Sequence, residues 1–251
     1  KSNQVTIRYV PPKNQKLEIV YQLLKERRVL ERLQEFVSPI RLPRELKIIL
    51  SGCDGEADAF YDDAKITICY EYVEHLLDKR PTERTAAGVE PVDTVVGPFI
   101  DTSLHEFAHA LFDMLNIPLF GREEDAADQL AAYIYLHFGP TEARRLIMGT
   151  AYVYFAEEIE GSTARKLTDF AGEHGTPGQR AYNVLCIAYG ADTKLFADFV
   201  TKGYLPKERA DVCEEEYEQV QDAFDALISP HIDEDLAQKV LTRKWLQRPR
   251  N

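Results

Sequence analysis

The chain has 251 residues, of which 45% are hydrophobic and 29% charged, the composition of an ordinary globular protein with one large core or two small ones. No run of about 18 or more apolar residues occurs, so no integral membrane segment is expected. The formal charge of -12, from 42 acids against 30 bases, comes without a long basic stripe and argues against a nucleic-acid partner.

In chain order, "QVTIRYV" alternates as a strand does and is followed by the turn-forming "PPKN". From Leu17 to Val37 apolar side chains recur at Val20, Leu23, Leu24, Leu30, Leu33 and Val37, which predicts a helix with a polar outer face. "ELKIIL" is a strand ended by "SGCDG", and "ADAFY" and "KITICY" flank "DDA" as a hairpin. "EYVEHLLDKR" is a helix stopped before Pro81, and residues 81–92 form a loop rich in Thr, Gly, Glu and Pro. Helical patterns fill the rest, over about 98–115, 122–138, 141–160, 177–189, 193–201, 207–228 and 233–246. Strands first and helices after imply an α+β fold instead of an alternating parallel sheet. The expected organisation is a single domain over residues 1–251, with a small N-terminal β-sheet lobe to about residue 92 and a helical lobe over 93–251.

Cys53, Cys69, Cys186 and Cys213 contain no C-x-x-C pair, which speaks against a zinc ribbon or a thioredoxin-like motif. Two disulfides in an oxidising compartment and four buried thiols both fit the composition. Of the three possible pairings the local one is favoured, Cys53 with Cys69 and Cys186 with Cys213.

The densest chemistry lies in "TSLHEFAHAL", residues 102–111. Positions four apart share one helix face, so His105 and His109 can offer two imidazoles to one metal ion, with Glu106 about a third of a turn away as a base for the water that the metal activates. The flanks are uncharged, as a buried helix requires. Ile100, Leu104, Phe107, Ala108, Leu111 and Leu115 form its core face and leave both histidines at the edge. The competing interpretation is a packed helix with two satisfied core histidines.

A third ligand is needed. H-E-x-x-H-x-x-G-x-x-H fails, because Phe112 and Leu115 stand where glycine and histidine belong. "REEDAADQLAAYIYL" offers a helix on which Glu124 and Asp128 share a face. Glu124 would be a zinc ligand, and Asp128 would accept a hydrogen bond from a ligating histidine's other ring nitrogen. Glu123 is the competing ligand, and the acidic run also suits the positive end of a helix dipole. Since His109 sits about 9 Å before the expected end of its helix, the chain must double back through Pro118 and Gly121 to bring Glu124 level with the histidines.

"HEFAH" with "EDAAD" resembles the zinc metallopeptidases of the glutamate-zincin group, in which H-E-x-x-H is followed on a second helix by a ligand Glu and, four residues on, an Asp. More narrowly, "AFYDDAKITICYE", "HEFAHALFDMLNIPLFGREEDAADQLAA" and "GQRAYNVLCIAYG" are similar to a bacterial family of metallopeptidases of unknown substrate, over about residues 40–215. The resemblance implies a zincin-like catalytic core, a zinc cofactor, a peptide or protein substrate, and an exported protein, periplasmic or extracellular, whose signal segment is removed or not included; export in turn favours the disulfides. One departure is the spacing, since only 14 residues separate His109 from Glu124, fewer than in many glutamate-zincins.

Attack on a peptide carbonyl builds an oxyanion that His, Tyr or Arg can stabilise. His174, Arg180 and Tyr182 in "EHGTPGQRAYNVLC" are the candidates, with His231 a rival. Arg180 and Tyr182 are two apart, so a helix points them in different directions. The strand "KITICYE" is a candidate cleft edge for an extended substrate, or an ordinary core hairpin. Two functions outside catalysis compete with the peptidase: a scaffold with a structural or vestigial zinc, and a metal-free helical interaction protein. Nothing in the sequence fixes an oligomeric state.

Overall fold

The computed structural model describes residues 4–162 and 166–245. They form an α+β fold, with a four-stranded sheet near the N-terminus and helices dominating thereafter. Two compact units divide the chain. One comprises Lys1–Lys79, Glu106–Pro118 and Leu227–Asn251, the other Arg80–His105 and Leu119–Ala226. Among the described residues no helix is long and apolar enough to cross a membrane.

The first unit holds β1 (Val5–Tyr9), α1 (Glu18–Glu26), α2 (Val29–Val37), β2 (Leu46–Ser51), β3 (Ala59–Asp62), β4 (Lys65–Cys69) and α3 (Tyr70–Lys79). The sheet order is β1-β2-β4-β3. β3 and β4 form the expected hairpin, antiparallel, with Ala59 opposite Ile68. β1 and β4 flank β2 and both run parallel to it, so β1 reaches β2 by a crossover through α1 and α2 that the sequence did not announce. Leu46, Ile48 and Leu50 of β2 are buried while Lys47 is exposed, the alternation of a strand with one covered face. Ile66, Thr67, Ile68 and Cys69 of β4 are buried in succession, as suits a strand covered on both sides.

The single helix expected over Leu17–Val37 is broken at Arg28, whose backbone is left-handed at φ 53°. The reason is a jump in the apolar stripe. α1 buries Val20, Tyr21 and Leu24, and α2 buries Leu30, Leu33 and Val37; an unbroken helix would carry the first stripe on to Arg27, Arg28 and Glu31, which cannot be buried cheaply. A disulfide joins Cys53 to Cys69, and the Glu71 carboxylate accepts the Cys53 and Gly55 N–H groups beside it.

α4 (Asp93–Met114) crosses the division between the units, which falls between His105 and Glu106. It begins a turn earlier than its pattern suggests and carries Pro98 in its interior. Its start belongs to the second unit, with α5 (Glu123–Tyr135), α6 (Pro140–Ser162), α7 (Pro177–Ala191), the short α8 (Asp198–Thr201) and α9 (Lys207–Ala210), and α10 (Cys213–Leu227). The helices expected over 193–201 and 207–228 are therefore shorter and interrupted. α11 (Glu234–Leu241) returns to the first unit.

In the second unit the start of α4 meets α6 backbone to backbone. A Cβ added at Gly149 would lie 2.0 Å from the Asp93 carbonyl oxygen, and one at Gly97 2.6 Å from that of Leu146. Arg145 closes the crossing with two nitrogens on the buried Asp93 carboxylate, at 2.5 and 3.0 Å, and the buried Tyr135 hydroxyl donates to the Gly97 carbonyl. α7 starts with a capping box between Thr176 and Gln179 and Pro177 in its first turn, which satisfies N–H groups that the helix cannot. The Cys186–Cys213 disulfide ties α7 to α10, so both local cysteine pairings occur.

Gly149→Ala should destabilise the protein by about 3 kcal/mol, the upper range for overpacking, because backbone cannot yield as a side chain does. Urea unfolding measures this, and an unchanged midpoint would show that the two helices do not meet at Gly149.

Candidate metal centre

α4 is apolar nearly all round in its second half: Leu104, Phe107, Ala108, Ala110 and Leu111 are at most 1% exposed. A helix of this kind is buried on all sides, so its few polar side chains must find partners inside. His105 and Glu106 are both buried, at 3% and 6% exposure. His105 thus lies inside the core, deeper than the edge position its spacing suggested.

α5 opens with Glu123, Glu124 and Asp125, acids that suit the positive end of its dipole. Glu124 and Asp128, one turn apart, turn inward to His105. The His105 Nδ1 lies 2.7 Å from Asp128 Oδ1, and its Nε2 lies 2.9 Å from Glu124 Oε2. Glu123 is exposed. The required doubling back of the chain is therefore present between His105 and Glu124.

His174, from the loop before α7, brings its Nε2 to 2.8 Å from the same Glu124 oxygen, and its half-exposed ring stacks on His105 with centroids 5.7 Å apart. His105, Glu124 and His174 offer ligand atoms that all lie within 4.8 Å of one another. The other such group among the described residues, Cys53, Cys69 and Glu71, has its two sulfurs tied in the disulfide. Two imidazole nitrogens and a carboxylate oxygen are a donor set that suits zinc. Asp128 on the other ring nitrogen of His105 is the outer partner that such ligands need to fix their tautomer.

Arg180 lies behind Asp128. Its Nε is 2.7 Å from Asp128 Oδ2 and its Nη2 2.6 Å from Asp128 Oδ1, a two-pronged charge-assisted pair. The guanidinium sits over the Tyr154 ring, 4.6 Å from its centroid, and the Tyr154 hydroxyl donates to Asp101 Oδ2 at 2.6 Å. Tyr182 packs edge-on against Phe155, with centroids 5.1 Å apart. His109 follows His105 by one turn on α4 and lies in the first unit, as Glu106 does, with its ring against Phe112. His231 ends a short 3-10 turn of that same unit.

The electrostatics follow from this packing. Burial alone would pull the His105 pKa down, but the hydrogen bonds to Asp128 and Glu124 outweigh it and push it to about 9. Burial disfavours the charge on Asp128, yet His105 and Arg180 hold it well below the usual carboxylate range. Asp101 is pushed up to about 6 by burial and by the neighbouring Asp128 charge, and burial lowers His174.

Asp101 and Tyr154 escaped the sequence. Asp101 left one signal, as an acid just before the uncharged residues 102–104 and one turn ahead of His105. Tyr154 left none, because only the α4–α6 crossing brings it there.

A family model described as "Putative metallopeptidase" matches residues 9–228. The chain belongs to this family. The match reaches beyond both ends of the motif-bearing region and covers β2, β3, β4, α4, α5 and α7. No curated protein and no solved structure matches the chain. A metallopeptidase family suggests a metal, and His105, Glu124 and His174 are a group that could hold one.

In the metal-free protein, Asp128→Asn should cost about 3 kcal/mol or more, because it removes the carboxylate on which both prongs of the buried Arg180 close. Asp125→Asn, which breaks the exposed pair with Arg122, should cost no more than about 0.5 kcal/mol. Urea unfolding in chelator compares them; equal losses would contradict the central place given to Asp128.

Proposed function

We propose that the protein is a zinc-dependent peptidase. The observation that carries this is the convergence of His105 Nε2, Glu124 Oε2 and His174 Nε2, with Asp128 holding the far side of His105, in a member of a metallopeptidase family.

In this reading three protein donors would hold the ion and leave a position open for water: His105 and Glu124 with either His174, which lies beside them, or His109, by its i, i+4 spacing on α4. Zinc there supplies a Lewis acid for the scissile carbonyl and a water acidic enough to be deprotonated near neutral pH. Glu106, next to His105 on the helix, takes the water's proton and returns it to the departing amine. Where His109 is the ligand instead, the half-exposed His174 ring would be available to donate to the oxyanion. Arg180 supports Asp128, and Tyr182 is the remaining candidate donor. The two disulfides support export, and peptides or proteins are the substrate class that the family implies.

A second reading is favoured by His174 itself. If His105, His109, Glu124 and His174 all bind, four protein donors close the ion, and the protein is a zinc-bearing scaffold without turnover.

Glu106→Gln separates these readings. The peptidase predicts that wild type cleaves peptides, that chelation abolishes cleavage and zinc restores it, and that Glu106→Gln keeps one zinc per chain while losing about 10²-fold or more in kcat. Full activity in Glu106→Gln sinks the mechanism. A zinc-loaded wild type that cleaves nothing in a broad peptide library, and is not released by His174→Ala, is the scaffold.

A further inference from the structure

Four helices of the second unit each send a polar side chain into one buried array: Asp101 from α4, Asp128 from α5, Tyr154 from α6 and Arg180 from α7. Asp101 is 4% exposed, and the Asp128 and Arg180 side chains are 12% and 19% exposed. Charges at that depth persist only where each is paired and hydrogen-bonded. Asp128 shares Oδ1 between His105 Nδ1 and Arg180 Nη2 and gives Oδ2 to Arg180 Nε. Both prongs of the guanidinium therefore fix the plane in which Asp128 faces the histidine.

Arg180 is itself held. Tyr154 lies under its guanidinium and donates to Asp101. Asp101 supplies a second buried acid beside Arg180, so the array carries two carboxylates against one guanidinium. Behind a divalent cation this balance is useful, since an arginine without the second acid would leave the supporting side of His105 more positive.

We propose that Arg180 is a positioning residue for the metal: it clamps Asp128, and so fixes the His105 ring with Nε2 toward Glu124 and His174, while Asp101 and Tyr154 hold the clamp in place. This rests on the zinc reading of the His105 group. It gives Arg180 a task away from the substrate, acting through two other side chains. The consequence is specific, because loosening the clamp should weaken the hold on zinc even where no zinc ligand has changed.

The experiment is zinc affinity of the full chain, by competition with a chromophoric chelator, beside thermal unfolding of the metal-free protein. Arg180→Met alone strands two buried acids and is expected to destabilise the fold, so the principal variant is the charge-balanced pair Asp101→Asn with Arg180→Met, which keeps an acceptor for Tyr154. It should bind zinc about 10- to 100-fold more weakly than wild type. Arg180→Lys retains the charge without the fork and should fall between the two. A purely structural role predicts lower unfolding temperatures with unchanged zinc affinity in both variants, and that result overturns the proposal. His105→Ala is the control: if wild type takes up no zinc, or His105→Ala binds it as tightly as wild type, the zinc reading fails, and the clamp falls with it.

Discussion

The Asp128 carboxylate is bound on one side by the His105 ring and on the other by both prongs of Arg180. An ionised acid so nearly enclosed would be expensive alone, by several kcal/mol. Its two partners offset that cost only in one geometry, and this geometry turns the other ring nitrogen of His105 toward Glu124. The donor set thus inherits its order from a buried charge pair one layer behind it. Loops and exposed acids around the centre can vary without disturbing that order, whereas any change at Asp128 reaches both the histidine and the arginine.

The scaffold behind the pair is built for short distances. Gly97 and Gly149 let α4 and α6 approach backbone to backbone, which carries Tyr154 within reach of Asp101. The Thr176–Gln179 capping box fixes the start of α7 just after the loop that bears His174 and just before Arg180. The Cys186–Cys213 bridge then ties α7 to α10. A small set of local constraints, two glycine contacts, one cap and one disulfide, accounts for why side chains spread over residues 101–180 share one interior.

Much of this was legible in the residues. Period two marked the β3–β4 hairpin, the favoured local cysteine pairings are the ones that form, and the helical faces put Glu124 and Asp128 on the side that meets His105. Other features depended on contacts far apart in sequence. The parallel β1–β2 pairing has no local signature, because the strands are joined through two helices whose own pattern gives no direction. The break at Arg28 was readable from the jump in the apolar stripe between Leu24 and Leu30, had phase been weighed together with period. His174 was a candidate oxyanion donor ahead of a helix start; its place beside Glu124 is set by tertiary packing. The same packing explains Arg180, whose charge suggested an oxyanion partner and whose fork is engaged with Asp128.

The most direct measurement is X-ray absorption at the zinc edge of the full chain loaded with one equivalent of zinc. The account predicts nitrogen and oxygen donors at about 2.0–2.1 Å, with the outer-shell scattering of imidazole rings and no sulfur at about 2.3 Å, and a loss of imidazole scattering in His105→Ala. A first shell of sulfur, or a spectrum of hydrated zinc unchanged by His105→Ala, would contradict it.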